Sequence, residues 1–220
     1  MDHPYQLTTV KDGPDTDRLL PSLTELLLHC VNDDPAVSSI GFLAPLADHV
    51  ATNYWRGLLS SAKSHDADTT VLVATVRGSD NVVATAQIVR MLKETHSHRG
   101  EVRKLLVHPA HRRGGLGRLM MTAAEEHARV NLGLEMLVLD TATQTPAREF
   151  YLKTTWTEWG RCPDYAKYAD GAKGECSFFV KMLEGSDRPP REVDVSTPQA
   201  LVDNKVEAEK RDLVNLDLNA

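Results

Sequence analysis

The chain has 220 residues, of which 41% are hydrophobic and 25% are charged, and its formal net charge is −6 at pH 7. This length accommodates one ordinary domain with a real core, and no run of about 18 apolar residues indicates a membrane helix. The N-terminus lacks the basic region and apolar run of a secretory signal, and three cysteines are too few for a disulfide framework or a zinc cluster. These features exclude secreted, membrane and zinc-finger classes. We expect a soluble cytoplasmic protein without a bound metal.

The N-terminal half predicts a strand, two helices and a hairpin. Leucines recur at helical spacing from Leu19 onward, and Asp33-Asp34-Pro35 ends that helix. A four-residue step of apolar residues predicts the second helix. Two β-branched runs flank a turn that contains Gly78, which is typical of a hairpin. The predicted elements are a strand at 6–10, helices at 19–31 and 46–58, and strands at 70–76 and 82–89.

The C-terminal half alternates strands with helices. An apolar strand ends at His108-Pro109, and the helix that follows carries apolar residues on one face. The predicted elements are strands at 102–107, 137–139 and 175–183, and helices at 116–132 and 146–153. This order predicts an α/β (α+β) fold with one mixed, mostly antiparallel sheet flanked by helices.

The composition changes at Gly185. The run Arg188-Pro189-Pro190-Arg191 is typical of a linker, and the segment from 185 to 220 has eight acids, five bases and no aromatic residue. Such a segment buries little apolar surface. We expect one domain at 1–184 and a charged tail at 185–220 that is disordered or loosely helical.

One segment is basic although the chain as a whole is acidic. From Lys93 to Arg118 there are seven Lys or Arg residues and two acids. A single basic segment indicates a local anionic ligand more than a nucleic acid, which usually binds a basic domain. A solvated charged loop is the alternative.

The turn after the strand at 102–107 has the composition of a phosphate site. Glycines at 114, 115 and 117 keep side chains away from the N–H groups that open the next helix, and such groups bind anions. Arg112, Arg113 and Arg118 add charged donors. A nucleotide P-loop would need a lysine and a hydroxyl, and a dinucleotide site would need a glycine at Met120. A pyrophosphate is the ligand that suits the turn, and a tight structural turn is the alternative.

The same turn resembles the acetyl-coenzyme A signature of the GCN5-related N-acetyltransferase (GNAT) superfamily. It reads Arg112-x-x-Gly115-x-Gly117, and it follows an apolar strand that ends in Val107-x-Pro109. The resemblance extends over about residues 6–183. It implies the GNAT fold, acetyl-CoA as cosubstrate and acetyl transfer as the reaction.

The downstream sequence continues the resemblance. Gln144 follows a strand, and Phe150-Tyr151 lies on a short helix, as in the family. Thr155-Trp156 stands where the family usually has Gly-Phe, so the aromatic residue is kept and the glycine is missing. Residues 37–55 and 137–170 are similar to the tabtoxin-resistance type of small-molecule acetyltransferase.

The resemblance implies how the coenzyme is held. The family splays its central strands at a β-bulge, which frees the N–H groups of Leu105 and Val107 for the acetyl and pantetheine portions. The glycine-rich turn would hold the pyrophosphate. Without the resemblance, residues 105–107 are interpreted as plain core. The implied coenzyme-binding residues are Leu105, Leu106, Val107, Arg112, Arg113, Gly114, Gly115, Leu116, Gly117, Arg118 and Gln144.

The resemblance also implies catalytic roles. Acetyl transfer to an amine needs a neutral amine, a stabilised oxyanion and a proton for the leaving thiolate. Tyr151 lies where the family places its general acid, and packing beside Phe150 is the alternative. Glu101 is a candidate base by likeness to histone-acetylating relatives, and Asp140 by likeness to the tabtoxin-resistance type. Either carboxylate could instead form an ion pair or anchor the substrate.

Three functions follow from these expectations. The first is acetylation of a small primary amine, such as an amino acid, toxin or antibiotic. The second is acetylation of protein lysines or N-termini, and the third is a silent acetyl-CoA-binding module. We expect no nucleic-acid or membrane partner, and a homodimer is left open. Acceptor specificity is expected from the first two helices and the segment 161–174, which includes Tyr165 and Tyr168.

Overall fold

A computed structural model of the chain describes residues 3–10, 14–33, 35, 38, 41–61 and 68–183. This part of the chain contains four α-helices and seven strands. The helices are α1 (Pro14–Asn32), α2 (Asp48–Ser61), α3 (Leu116–Val130) and α4 (Pro146–Lys153). The strands are β1 (Tyr5–Thr9), β2 (Thr69–Val76), β3 (Val82–Arg90), β4 (Arg99–Val107), β5 (Met136–Ala142), β6 (Thr157–Lys167) and β7 (Lys173–Met182). The predicted tail at 185–220 lies outside the described residues.

All seven strands form one sheet in the order β1-β2-β3-β4-β5-β7-β6. Strands β4 and β5 run parallel, and every other neighbouring pair is antiparallel. The parallel pair is joined through α3, as a crossover connection requires. The predicted class, a mixed and mostly antiparallel sheet with flanking helices, is confirmed.

Helices α1 and α2 cover one face of the sheet, which we call the α1/α2 face. The leucine spacing that predicted α1 places Leu23, Leu26 and Leu27 in its core, where they are fully buried with Trp55 of α2. Leu106 of β4 packs into the same core. Each fully buried side chain of this size stabilises the fold by about 1.5–3 kcal/mol.

Helix α3 covers the opposite face, which we call the α3 face. Met120, Met121 and Ala124 of α3 are buried against Ile88 of β3 and Leu137 of β5. Among the described helices, none combines the length and the hydropathy of a membrane span. The two cores place the middle strands between two layers of helices, so a ligand reaches the sheet where helices leave it uncovered.

Strand β6 was not predicted from the sequence. Residues 161–167 of this edge strand fell in the segment expected to set acceptor specificity, and most side chains of β6 are exposed. Pro163 lies within it, beside a shift of register between Cys162 and Ala166. Edge strands tolerate proline and bulges, which remove the alternating pattern that predicts a strand.

Strands β4 and β5 pair briefly and then diverge. Their register covers three positions, from Arg99 opposite Met136 to Glu101 opposite Val138. At Gly100 the chains approach so closely that a Cβ atom would lie 2.8 Å from Leu134. Both strands continue beyond Glu101 without pairing to each other, so a wedge-shaped opening separates them. The predicted splay of the central strands is present.

Candidate active site

A β-bulge in β4 forms one side of the opening. Gln87 of β3 lies opposite Arg103, but Thr85 lies opposite Leu106, so β4 has an extra residue between these pairs. Lys104 takes the left-handed conformation at the bulge, with φ of 48°. The Thr85 hydroxyl donates a hydrogen bond to the Lys104 carbonyl oxygen at 2.9 Å and holds the bulge in place.

The bulge reverses which side chains face each side of the sheet. Val102 packs into the α3-face core before the bulge, and Leu106 packs into the α1/α2-face core after it. Because side chains alternate along a strand, the extra residue places Arg103 and Lys104 together toward the α1/α2 face. Leu105 packs against the α3-face core instead.

The glycine-rich turn joins β4 to α3. Gly115 has φ of 86° and caps the helix, whose first hydrogen bond runs from the Leu119 N–H to the Gly115 carbonyl oxygen at 3.0 Å. The N–H groups of residues 116–118 therefore precede the helical hydrogen bonds and are available to an anion. Arg113, with φ of 64°, and Arg118 are exposed beside them.

Arg112 has a structural role in this turn. Its Nε donates to the Val107 carbonyl oxygen at 3.0 Å, and its Nη2 lies 3.8 Å from the Cys30 sulfur. The guanidinium therefore ties the turn to the end of β4 and to α1. Leu116 also contributes a buried side chain to the core, so its backbone is the part that faces the turn.

Gly117 lies between β4 and α4. A Cβ atom there would lie 3.6 Å from the Phe150 ring and 3.8 Å from Cγ2 of Val107. These are ordinary van der Waals distances, so an alanine would fit and a longer side chain would fill the space beside the turn. Gln144 is exposed in the connection from β5 to α4.

Tyr151 of α4 is buried beneath this region, with 7% of its surface exposed. Its ring centroid lies 5.3 Å from that of Phe150 and 5.5 Å from that of Phe179. Burial raises the pKa of the phenol above its usual value, and the negative charge of Asp140 raises it further. Tyr151 is therefore a protonated donor at neutral pH.

The residues after α4 explain the departure from the family motif. Thr155 has φ of 65°, the left-handed conformation that glycine adopts most readily. Trp156 is buried in the α3-face core, and its indole N–H donates to Glu125 at 3.0 Å. The aromatic position is thus a core position, and the glycine position is one that requires a positive φ.

Glu101 is engaged in an ion pair. Nε and Nη2 of Arg103 donate to its two carboxylate oxygens at 2.7 and 2.6 Å. The two residues are two apart on β4, so their side chains share the α1/α2 face. Each carboxylate oxygen accepts a hydrogen bond from Arg103, so the ion pair holds the Glu101 side chain in place.

Asp140 of β5 lies across the opening from Glu101. Its neighbours Leu137 and Leu139 are buried in the α3-face core, so the alternation of β5 directs Asp140 to the α1/α2 face. The carboxylate is reached by solvent, but surrounding protein partly desolvates it and raises its pKa. The Glu101 charge raises this pKa further, while Arg103 and Lys104 lower it.

Aromatic side chains line the α1/α2 face around these charges. The ammonium of Lys104 lies 5.6 Å from the ring centroid of Phe42 and 5.8 Å from that of Tyr54. On the far side, exposed Tyr165 packs edge-on against Phe178, with ring centroids 4.8 Å apart. We call this region the acceptor cleft, after the role proposed for it below; it is defined by Phe42, Tyr54, Glu101, Arg103, Lys104, Asp140, Tyr165 and Phe178.

The sequence patterns missed most of the acceptor cleft. Phe42, Arg103, Lys104 and Phe178 come from three separate parts of the chain, and no local spacing connects them. Exposed aromatic residues were a usable signal for Tyr165. Tyr168, in the same segment, is buried and donates to the Glu175 carbonyl oxygen at 3.2 Å, so it supports the hairpin of β6 and β7.

A comparison with protein families settles the class of this fold and turn. Residues 41–155 match the model of the acetyltransferase (GNAT) family, which is more than half of the chain. The chain belongs to the GNAT family. The resemblance that Arg112, Gly115 and Gly117 carried in the sequence is thereby confirmed at the level of the superfamily.

Solved GNAT-like structures share the fold. One is described as a phosphinothricin N-acetyltransferase and is 18% identical, with a TM-score of 0.63 over 81% of this chain and 98% of its own. An acetyltransferase from Salmonella typhimurium with its cofactor acetyl-CoA is 18% identical, with a TM-score of 0.61 over 86% of this chain and 99% of its own. A ribosomal-protein-S5-alanine acetyltransferase from Vibrio fischeri is 12% identical, with a TM-score of 0.67 over 86% of this chain and 98% of its own.

As a GNAT acetyltransferase the protein acts with acetyl-CoA, which supplies an activated acetyl thioester when bound. The residues present fit this group: the N–H groups of 116–118 and exposed Arg113 and Arg118 suit a pyrophosphate, and Gly117 leaves space beside them. Beyond Glu101, β4 has no strand partner on its β5 side within the described residues, so backbone groups there are open to a ligand. The individual coenzyme contacts stay predictions. The described residues contain no cluster of three or more His, Cys, Asp or Glu suited to a metal.

Proposed function

We propose that the protein is an N-acetyltransferase that transfers the acetyl group directly to the primary amine of a small molecule bound in the acceptor cleft. The observation that carries this proposal is the position of two proton-handling groups at the opening between β4 and β5. Tyr151 lies on the α3 face, below the glycine-rich turn, and Asp140 lies on the α1/α2 face. Burial raises the pKa of both groups, and the negative charge of Asp140 raises the pKa of Tyr151 further, which supports placing the two groups near each other.

In this proposal the sheet separates the two substrates. The turn and α4 would hold the coenzyme on the α3 face, where it would supply the acetyl thioester. The acceptor amine approaches from the α1/α2 face. The opening is the place where the two meet, because β4 and β5 are unpaired beyond Glu101.

Different residues carry out the two proton transfers, one from the acceptor ammonium and one to the leaving sulfur. Asp140 accepts the proton of the acceptor ammonium, since its raised pKa makes it a better base than an ordinary aspartate. Tyr151 would donate a proton to the departing sulfur, since its phenol is protonated at neutral pH, and the second proton that the nitrogen loses as the amide forms would restore the phenol. Glu101 fixes Arg103 and helps to raise the pKa of Asp140.

A small acceptor suits the cleft better than a polypeptide. The Ala44 N–H donates to the Ala169 carbonyl oxygen at 2.7 Å, which joins the loop before α2 to the hairpin of β6 and β7. The two walls of the cleft are therefore connected at this point, which limits room for an extended chain. The neighbour described as a phosphinothricin N-acetyltransferase supports a small-molecule enzyme similar to the tabtoxin-resistance type.

Three free cysteines are in keeping with the cytoplasm.

Acetylation of a protein N-terminus is the second candidate, because the Vibrio fischeri neighbour is described as acting on a ribosomal protein. A silent acetyl-CoA-binding module is disfavoured, because the chain has both Tyr151 and Asp140, the residues to which this proposal assigns the proton transfers. These candidates are separated by a screen that measures release of free CoA with amino acids, polyamines, aminoglycosides and alanine-terminated peptides. Turnover of a small amine that is lost in Asp140→Asn supports the proposal, whereas turnover of the peptides alone supports the second candidate.

A further inference from the structure

Lys104 is a partly buried cation to which the proposed mechanism gives no role. Its ammonium lies over the rings of Phe42 and Tyr54, and a Cβ atom at Gly41 would lie 3.5 Å from it. Within the described residues, no carboxylate lies within 4.0 Å of this ammonium. Desolvation lowers the pKa of Lys104, and the positive charge of Arg103 lowers it further. A cation held in this way gains free energy when an anion binds beside it.

The carboxylates of the acceptor cleft act on Lys104 only at longer range: Asp140, and then Glu101, raise its pKa without forming an ion pair with it. Glu101 is bound through both oxygens to Arg103, so these two residues neutralise each other. Asp140 remains as the anion and Lys104 as the cation, and both face the α1/α2 face. An acceptor that carries one positive and one negative group complements this pair, whereas a simple amine leaves Lys104 without a partner.

We propose that Lys104 binds a carboxylate of the acceptor, so that the acceptor is a zwitterion of the α-amino-acid type. Its amine is directed to Asp140 and its carboxylate to Lys104, with Phe42 and Tyr54 against its apolar part. This inference rests on the proposed acetyl transfer to a small amine and adds a specificity-determining residue to it. The bulge is essential to this arrangement, because it turns Lys104 to the same face as Arg103.

The test compares α-amino acids with their own α-amides, which differ in the carboxylate alone. The kcat/KM for acetylation is measured for each acid and amide with the wild type, Lys104→Met, Lys104→Arg and Lys93→Met. Lys104→Met should lower the acid-to-amide ratio about ten- to hundredfold, the scale of one hydrogen bond to a charged group. Lys104→Arg should restore part of the ratio, and Lys93→Met, at an exposed lysine on the β3–β4 connection, should leave it unchanged.

A binding measurement tests the same proposal independently of enzymatic turnover. The 13Cε resonance of Lys104, assigned by its loss in Lys104→Met, is followed during titration with N-acetyl amino acids and N-acetyl amino acid amides in the presence of CoA. A saturable shift with the acids alone supports the proposal. Equal shifts, or no shift with any acid, overturn it.

The outcomes separate this proposal from the proposed function. If amides and acids are acetylated equally well, acetyl transfer to a small amine stands and the carboxylate site is wrong. If Lys104→Met reduces both kinds of acceptor equally, Lys104 acts on the amine or on folding, and the carboxylate site is again wrong. If acids bind at Lys104 but no small amine is acetylated, the carboxylate site stands and the proposed function is wrong.

Discussion

Glu101 and Arg103 hold each other in a two-point ion pair on the same strand, with N···O distances of 2.7 and 2.6 Å. This pair lies at the point where β4 parts from β5, with Glu101 opposite Val138 and therefore two residues before Asp140 in the register. It holds the Glu101 carboxylate by both oxygens, and the charge of that carboxylate raises the pKa of Asp140. The roles of the two carboxylates are therefore unequal although both border the same opening.

The first prediction concerns the base. Asp140→Asn should lower kcat/KM at neutral pH by about a hundredfold or more, the range for loss of a general base. Activity should recover as the pH approaches the pKa of the acceptor amine, because the free amine needs no base. In the wild type, kcat/KM should fall on the acidic side of its pH profile at a pH above about 3.9, the ordinary pKa of an aspartate. The reason is that the pKa of Asp140 is raised.

Glu101→Gln is the matched comparison for that experiment. It should retain more activity than Asp140→Asn, and it should move the acidic limb to lower pH because a charge that raises the pKa of Asp140 is gone. A larger loss in Glu101→Gln, with recovery at high pH, would assign the base to Glu101 instead.

The second prediction concerns Tyr151. Tyr151→Phe keeps the ring between Phe150 and Phe179 but removes the proton donor, so kcat should fall about ten- to a thousandfold with little change in acetyl-CoA affinity. Because burial raises the phenol pKa, wild-type activity should show no loss from Tyr151 ionisation below about pH 10. Pre-steady-state kinetics identifies the step affected. An unchanged rate of the chemical step would leave Tyr151 with packing alone.

The third prediction concerns the turn. Gly117→Asp should abolish acetyl-CoA binding, because a carboxylate would stand beside the N–H groups expected to bind phosphate. Gly117→Ala should keep most of the affinity, since its Cβ meets Phe150 at 3.6 Å. Isothermal titration measures both, and circular dichroism checks that both variants fold. Normal binding by the folded aspartate variant would contradict the position of the coenzyme.

The fourth prediction is a gain in stability at Thr155. A β-branched residue with φ of 65° is strained, so Thr155→Gly should raise the free energy of unfolding by about 1 kcal/mol. Thr157→Gly, in exposed β6, should lower it, because glycine weakens a strand. Urea denaturation measures both changes. Destabilisation by Thr155→Gly would show that the contacts of the Thr155 side chain stabilise the fold by more than the strained backbone conformation destabilises it.

The fifth prediction concerns pH and stability. Hydrogen bonds from Arg148, and then from Arg161, lower the pKa of Glu158 to about 2, with N···O distances of 2.6 Å to Arg148 and 2.7 Å to Arg161. The unfolded value is about 4.3. Because the folded pKa is depressed, this contribution to stability is present above about pH 4.3 and is lost as the pH falls through about 2.

Glu158→Gln should therefore be about 1–2 kcal/mol less stable than the wild type at pH 7, and the difference should shrink toward pH 2. Glu149→Gln is the matched control, because Glu149 contacts the same Arg148 at 3.3 Å but is 60% exposed. It should change stability by less than half as much. A pH-independent difference for Glu158→Gln would assign the effect to packing.

The amino-acid sequence predicts the helices and turns whose formation depends on residues close to one another along the chain. Helix α1 follows from its leucine spacing, and the phosphate turn follows from its glycines and arginines. The ion pair of Glu101 and Arg103 was also within reach, since a period of two puts both on one face of a strand. The role of Asp140 was left open because its pKa depends on groups from another strand.

The remaining features depend on contacts between distant segments. The bulge at Lys104 is defined by pairing with β3, so no feature of β4 alone indicates it. Strand β6 is held by its pairing with β7 and exposes most of its side chains. The hydrophobic pattern of its sequence therefore does not predict a strand. The cleft joins Phe42 to Phe178, residues that are far apart along the chain and meet through folding alone.

The extra residue in β4 has a consequence for how this enzyme changes over evolutionary time. Phe42, Tyr54 and Lys104 belong to the α1/α2 half of the fold, where we propose that the acceptor binds, whereas Leu105 and Val107 pack in the α3 half. In the proposed function, point mutations in the α1/α2 half therefore change the acceptor without altering the α3 half, which would hold the coenzyme. Deleting one residue at Lys104 would have the opposite effect, since every later side chain of the strand would exchange sides and both halves would be lost together.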